Sequence, residues 1–204
     1  MYLDTTISIW VFENITSKND WLGQICKVLS EFTSWGQLWI VLMIFLVIFE
    51  LVKKKRLNTF LILTLVPILL GWALSEFGIK NWIGRERPYT EIEQLAEYVK
   101  TIGYKMSSGK SFPSGHTLIA FAGAFVLSNY NKKFIIFGYV LALFIGFSRI
   151  VLGAHYLSDV IAGAGYGTLI GGLGVLFSNK LSPKLNNWLN SKLFKKKEIE
   201  DEVR

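Results

Sequence analysis

The stretch Phe112-Pro113-Ser114-Gly115-His116 lies near the middle of the chain and introduces a long apolar segment, residues 114–130. A serine preceded by proline is typical of the start of a helix. Two further polar clusters, residues 80–88 and 148–159, also adjoin apolar segments. The three clusters together contain both histidines of the chain. We therefore expect apolar helices to bring these three clusters together.

The composition is that of a membrane protein. Hydrophobic residues make up 51% of the 204 residues, and the mean hydropathy is +0.39, which is too apolar for an ordinary soluble domain. The net charge of +7 is carried by bunched basic residues. Such bunching records membrane topology and attraction to anionic lipid, so a lipid bilayer is the expected partner and nucleic acid is not. Cys26 is the only cysteine, so the chain forms no internal disulfide.

Five apolar segments come close to the length that a membrane-spanning helix requires. They are residues 36–52, 57–79, 114–130, 134–152 and 156–178. Residues 4–33 are mixed in polarity and predict amphipathic helices, either at the membrane interface or partly inserted as a sixth span. Gly163, Gly167 and Gly171 share one helix face, which lets another helix approach closely. The predicted fold is therefore all-α, a single polytopic membrane helix bundle over residues 1–204.

The distribution of lysines predicts the orientation of this bundle. Lysines cluster at residues 53–56 and 131–133 and in the tail, residues 180–204. If the spans alternate, all three fall on one side, which the positive-inside rule assigns to the cytoplasm. The three polar clusters then lie on the extracytoplasmic face, beside a predicted polar cap at residues 89–112. We expect a cell-membrane protein whose active site faces outward.

The polar clusters contain the groups expected of an anion site. Lys80, Arg87 and Arg149 would place three cations at one membrane boundary. Ser114 and Gly115 open a helix whose first N–H groups lack intrahelical partners. Such a helix end binds anions, phosphate above all, and a guanidinium can form paired hydrogen bonds to phosphate oxygens. The pattern therefore predicts a phosphate site.

The two histidines and one aspartate indicate what this site could do. His155 and Asp159 are four residues apart, so a helix over 155–159 would put both on one face. Asp159 could then accept a hydrogen bond from one ring nitrogen and hold the other outward as a nucleophile. His116, on the facing helix, could protonate a leaving oxygen and later activate water. Ligand spacing typical of metals is absent from the sequence, so neither a metal nor a cofactor is predicted.

Each of these elements also has a purely structural interpretation. Cations at a membrane boundary often only extend to lipid headgroups, and Arg85 fits that role well enough to be left out of the core site. Ser114 could be only a helix cap, and His155 with Asp159 only a structural pair. The joint pattern favours function, because so many polar groups at a membrane edge are costly without one.

The three clusters resemble the signature of the type 2 phosphatidic acid phosphatase superfamily. The pattern is Lys-x6-Arg-Pro at 80–88, Pro-Ser-Gly-His at 113–116 and Ser-Arg-x5-His-x3-Asp at 148–159. The resemblance implies that His155 attacks phosphorus to form a phosphohistidine, that Asp159 orients it and that His116 protonates the leaving group. It implies that the phosphate is held by Lys80, Arg87, Ser114, Gly115 and Arg149.

The resemblance also implies a class of substrate. Members of this size and layout are similar to bacterial phosphatases acting on undecaprenyl pyrophosphate, phosphatidylglycerol phosphate or phosphatidic acid. We therefore expect a metal-independent membrane lipid phosphatase in a bacterial-type plasma membrane. Two alternatives stay open at this point: a phosphotransferase between lipids, and a non-catalytic protein that binds lipid headgroups. The sequence does not rank the lipids and leaves the oligomeric state open.

Overall fold

The computed structural model describes residues 2–33, 36–54 and 58–193, and within these ranges the chain is helical and contains no strand. The all-α prediction is therefore confirmed. The ten α-helices of the described ranges are α1 (Tyr2–Val11), α2 (Asp20–Thr33), α3 (Gln37–Lys54), α4 (Phe60–Ala73), α5 (Lys80–Ile83), α6 (Pro88–Glu91), α7 (Glu93–Thr101), α8 (Gly115–Tyr130), α9 (Ile135–Val151) and α10 (Leu157–Leu193). Two π-helical turns, Phe12–Thr16 and Leu74–Ile79, follow α1 and α4.

The number of membrane spans is only partly settled by the helices. In the described chain, three segments are long and apolar enough to cross a membrane, namely Phe60–Glu91, Lys132–Val151 and Leu157–Lys192. Helices α2 and α3 are bent by 56° and would together make a fourth. The predicted span 114–130 is helix α8, whose 16 residues are short for a spanning helix. The expected count of five or six spans therefore stays a prediction.

Helix α8 lies at the centre of the bundle, with α4, α9 and α10 packed around it. The predicted glycine stripe explains how closely α10 approaches. A Cβ atom added at Gly163 would lie 2.6 Å from the Ser114 carbonyl oxygen, and one at Gly167 only 2.1 Å from that of Leu118. Because no side chain tolerates such contacts, the glycines allow α10 to pack directly against the α8 backbone. This contact positions the start of α8 against the start of α10.

Helix α2 is amphipathic, as predicted, but its apolar stripe points away from the bundle. The exposed members of this stripe are Trp21, Ile25, Val28 and Phe32. The buried face carries small and polar residues, Gly23, Cys26, Ser30 and Thr33. An outward apolar face suits contact with lipid, and the polar inward face is available to the interior of the protein.

The segment predicted to be a cap contains the short helices α6 and α7. Leu95 and Val99 of this segment pack into a buried cluster with Leu152 and Ala154, in the turn that follows α9. The segment thus lies beside the third polar cluster, although its role as a cap stays a prediction. At the other end of the chain, α10 continues to Leu193, well past the predicted end of the span at residue 178. The remainder of the predicted tail, residues 194–204, lies outside the described residues.

Candidate active site

The three polar clusters converge on a cavity of about 550 Å³. The predicted site residues that line it are Lys80, Arg87, Gly115, His116, Arg149 and His155. The other two, Ser114 and Asp159, are fully buried behind the wall. Helix α2, the π-helical turn after α4 and residues 104–108 also line it, together with Trp72 of α4 and Ile119 of α8. The structure therefore brings together residues that lie far apart in sequence, as the clusters predicted.

Arg87 is fixed beside His155 by backbone carbonyl groups. Its Nε donates to the carbonyl oxygen of Gly109 at 2.7 Å, and its Nη1 donates to that of Ala154 at 2.9 Å. The same Nη1 lies 3.2 Å from Nε2 of His155. Arg87 as a whole is only 5% exposed. These bonds hold a cation against the ring nitrogen of His155 that borders the cavity.

Arg149 lies on another side of the cavity and is held by two hydroxyl groups. Its Nη1 donates to Ser30 Oγ of α2, and its Nη2 donates to the hydroxyl of Tyr104. Burial raises the pKa of Tyr104, but the Arg149 guanidinium and the hydrogen bonds to this hydroxyl outweigh it, so the pKa is lowered overall. The Nε of Arg149 is buried without a partner among the described residues. Buried polar groups are nearly always paired. This N–H group can therefore donate to an acceptor that enters the cavity.

Lys80 brings the third cation to the cavity and is paired with a carboxylate. It begins α5, directly after the π-helical turn Leu74–Ile79, and is 5% exposed. Its Nζ lies 2.7 Å from Oε2 of Glu76. Buried charges are costly unless they are paired, so this contact accounts for the burial of Lys80. The cavity is therefore lined by the three expected cations and also by Glu76, a carboxylate that the sequence did not indicate.

His155 does not lie on a helix, so the condition under which His155 and Asp159 would share one helix face is not met. Helix α10 begins at Leu157, two residues later, and His155 sits in the preceding turn with its backbone N–H bonded to the Arg149 carbonyl at 3.2 Å. Burial lowers the pKa of His155 well below its ordinary value, and the nearby Arg87, Arg149 and Lys80 lower it further. The imidazole of His155 is therefore neutral, the form that has a free lone pair.

Asp159 approaches His155 but makes no direct hydrogen bond to it. The distance from His155 Nδ1 to Asp159 Oδ2 is 3.7 Å, and the same oxygen accepts bonds from the Tyr156 N–H at 2.9 Å and from the Ser111 hydroxyl. Ser111 Oγ lies 3.5 Å from His155 Nδ1. The expected direct His–Asp bond is therefore replaced by an arrangement in which Ser111 lies between the two side chains. The cause is the late start of α10, which takes His155 out of helical register with Asp159.

Arg85, which was assigned to lipid headgroups, instead binds Asp159 from behind. Its Nη1 lies 2.7 Å from Oδ1 of Asp159 and donates to Ser158 Oγ at 2.7 Å. Its Nη2 lies 2.8 Å from Oδ2 of Asp4, on helix α1, and its guanidinium stacks over the Tyr156 ring. Arg85 therefore connects the N-terminal helix to the carboxylate beside His155.

His116 lines the same cavity from the first turn of α8. The ring hydrogen-bonds the backbone of Ser30, and its Nε2 is buried without a partner among the described residues. Ser114 occupies the N-cap position of α8, but its hydroxyl accepts a bond from Thr117 Oγ1 at 2.9 Å and does not cap the helix. Its N–H donates to the Asp159 carbonyl at 3.1 Å, which ties α8 to α10. The arrangement offers a neutral nucleophile, a second imidazole and a cationic anion site.

Comparison with known proteins identifies the family. The PAP2 superfamily profile matches residues 57–183, so the chain belongs to the PAP2 superfamily. It is 33% identical over 153 residues to the lipid A 1-phosphatase of Porphyromonas gingivalis, covering 66% of this chain and 34% of that protein. It is 32% identical over 124 residues to the bacitracin transport permease protein BcrC of Bacillus licheniformis, covering 58% of each. The chain thus spans about a third of the length of the first relative and somewhat over half of the length of the second.

A solved structure supports the fold. The transmembrane PAP2-type phosphatidylglycerolphosphate phosphatase from Bacillus subtilis aligns with a TM-score of 0.67 at 24% identity. The alignment covers 88% of this chain and 86% of that chain. At this identity the similarity supports the fold, and nothing is inferred from it about the substrate.

Several residues at the site were not found by reasoning from the sequence. Arg85 and Ser111 lie within or next to the recognised clusters, so their position was a signal that could have been used. Asp4, Ser30 and Tyr104 lie in segments of ordinary polarity, and only the packing of α1, α2 and residues 102–110 around the site reveals them.

Proposed function

We propose that this protein hydrolyses the phosphate or pyrophosphate group of a membrane lipid through a phosphohistidine intermediate. The observation that carries the proposal is the convergence of two histidines and three cations on one cavity, next to apolar helices. Membership of the PAP2 superfamily supports the same reaction class. The names of the relatives add lipid A to the candidate substrates.

In the proposed reaction, Nε2 of His155 attacks phosphorus and the bond from phosphorus to the lipid oxygen breaks. His116 enters this step as an imidazolium, whose charge the bound phosphate stabilises. It gives its proton to the lipid oxygen, becomes neutral, and then accepts a proton from water as that water attacks the phosphohistidine. The phosphorus–nitrogen bond breaks, free phosphate leaves, and both histidines return to their starting states. Arg87, Arg149 and Lys80 neutralise the negative charge of the phosphoryl group during both steps.

The contact between Arg87 and His155 gives the first step a defined starting point. Arg87 Nη1 is 3.2 Å from His155 Nε2 and can donate to its lone pair. A phosphate oxygen is a stronger acceptor, so the substrate would take over this donor and leave the lone pair of Nε2 free. Binding and activation of the nucleophile would then occur together.

The extracytoplasmic location of the site is part of the proposal. Helix α8 begins at the cavity and ends next to Lys132 and Lys133, so these lysines mark the opposite end of the bundle. The positive-inside rule supports a cytoplasmic location for that end. A membrane-impermeant thiol reagent applied to intact cells should label Ser108→Cys and should not label Lys132→Cys. The reverse pattern would contradict the proposed orientation, and the native Cys26 is buried.

A turnover panel on the purified full chain in detergent tests the proposed activity. The substrates are undecaprenyl pyrophosphate, phosphatidylglycerol phosphate, phosphatidic acid and lipid A, each with EDTA present. Release of free phosphate from at least one is the expected result, and strict dependence on an added divalent metal would contradict metal independence. Label that moves into a second lipid would identify a phosphotransferase. Binding of phosphorylated lipid without turnover would identify a headgroup-binding protein.

A further inference from the structure

Glu76 places a carboxylate inside the cluster of cations that lines the cavity. Its Oε2 lies 2.7 Å from Nζ of Lys80, and its side chain is 31% exposed, into the same cavity that Arg87 and Arg149 line. None of the proposed catalytic steps uses this carboxylate. Because it carries the same sign of charge as the substrate phosphate, its position inside an anion site requires an explanation.

The backbone directs Glu76 at the place where a phosphate would bind. Glu76 lies in the π-helical turn Leu74–Ile79, and such turns are frequent at functional sites because they alter the direction of side chains. A Cβ atom added at Gly115 would lie 3.6 Å from Glu76 Oε2 and 3.9 Å from Lys80 Nζ. The carboxylate therefore lies against Lys80 and the first turn of α8. These two groups belong to the predicted phosphate site.

A phosphate that binds Lys80 must compete with this carboxylate. Two anions cannot share one ammonium group at close range in a partly buried site without strong repulsion. A lipid substrate recovers the loss, because its apolar chain stays in the membrane and keeps its phosphate near the cavity. Inorganic phosphate, the product, has no such chain. The carboxylate therefore weakens the binding of the product more than it limits the use of the substrate.

We propose that Glu76 is a specificity-determining residue, and this inference rests on the proposed lipid phosphatase function. Its carboxylate holds Lys80 between turnovers, yields Lys80 to the phosphate of an incoming lipid and returns to Lys80 after the phosphohistidine is hydrolysed. The return favours release of inorganic phosphate. The site thereby selects esterified phosphate over free phosphate, and inhibition by the product stays weak.

The test measures binding of inorganic phosphate to the purified full chain in detergent by titration calorimetry. Glu76→Gln should bind phosphate at least about tenfold more tightly than the wild type, because the competing charge is removed. The inhibition constant of phosphate against lipid turnover should fall by the same factor. Glu86→Gln is the matched control: it removes one charge from the exposed Glu86–Lys110 ion pair and should leave phosphate affinity unchanged.

Glu76→Asp provides a second variant that keeps the charge. The shorter side chain draws the carboxylate back from Lys80, so phosphate affinity should rise by only about threefold. If both variants bind phosphate no more tightly than the wild type, while the wild type hydrolyses lipid, Glu76 only orders Lys80 and this inference is overturned. If the wild type neither hydrolyses any lipid of the panel nor binds phosphate, the proposed function fails together with it.

Discussion

His155 lies between two groups of polar and charged side chains that differ in how fully they are paired. The cavity side comprises Lys80, Arg87, His116 and Arg149, and the rear side comprises Asp4, Arg85, Ser111 and Asp159. On the rear side, Arg85 binds two carboxylates at 2.7 and 2.8 Å. On the cavity side, Nε2 of His116 and Nε of Arg149 are buried without a partner among the described residues.

This difference separates binding from positioning. The cavity side has positive charge and unused hydrogen-bonding capacity, so an incoming anion adds contacts there. The rear side is already complete, so its role is to hold His155 and its surroundings in place. Substitutions on the cavity side should therefore alter both KM and kcat. Substitutions on the rear side should alter kcat with little effect on KM.

The largest effect is expected for His155→Ala, because it removes the nucleophile that both sides serve. Turnover of the best lipid substrate should fall by about 10⁴-fold or more. Phosphate release measures the loss, and thermal unfolding with phosphate binding checks that the variant folds and keeps its anion site. Activity within a few fold of the wild type would exclude His155 as the nucleophile.

The second effect concerns Arg87→Lys on the cavity side. Lysine keeps the charge but cannot bond the carbonyl groups of Gly109 and Ala154 while also meeting a phosphate. We expect kcat/KM to fall by about 10²- to 10³-fold, with contributions from both kcat and KM. Steady-state kinetics on a single lipid measures the two constants. An unchanged KM would place Arg87 on the positioning side of the comparison.

A smaller effect is expected for Arg85→Lys, two residues away on the rear side. A single ammonium group cannot bridge Asp159, Ser158 and Asp4, so Asp159 should become less well fixed. We expect kcat to fall by about tenfold and KM to stay constant. A tenfold fall corresponds to an increase of about 1.4 kcal/mol in the activation free energy. The same kinetics measures both constants.

Asp4→Asn is the milder companion of Arg85→Lys. It leaves the Arg85–Asp159 contact intact and removes only the charge that anchors Arg85 to α1, so kcat should fall by no more than about fivefold. If either rear-side variant raised KM as strongly as Arg87→Lys does, Arg85 would have to contact the substrate. The division between the two sides would then be wrong.

The residues of the cavity side could be predicted from the sequence more fully than those of the rear side. Lys80, Arg87, His116 and Arg149 stand in short local patterns next to apolar helices, and alternation of the spans is enough to bring them together. The contact of Asp4 with Arg85 joins residues 81 positions apart, and no local pattern predicts it. The direct His155–Asp159 bond depended on a helix over residues 155–159, and α10 starts only at Leu157.

The smallest effect concerns pH and distinguishes the two sides by electrostatics. Burial lowers the pKa of His155, and the cavity-side cations Arg87, Arg149 and Lys80 lower it further, whereas the contact with Ser111 at the rear raises it. The acid limb of kcat/KM, which reports the free enzyme, should therefore lie below the ordinary histidine pKa of about 6.5. The free energy of unfolding should also depend on the protonation of His155. The unfolded chain binds a proton at His155 that the folded chain does not bind, so stability falls as pH drops below about 6.5.

Removal of one charge from each side tests that difference. Lys80→Gln removes a cavity-side cation and should move the acid limb to higher pH, because His155 then protonates more readily. Asp4→Asn removes a rear-side charge while Arg85 stays paired with Asp159, so the limb should stay in place although kcat falls slightly. Ionisation of the lipid phosphate is common to both profiles and cancels in the comparison. Equal shifts in the two variants would mean that the rear-side ion pairs do not isolate Asp4 from His155.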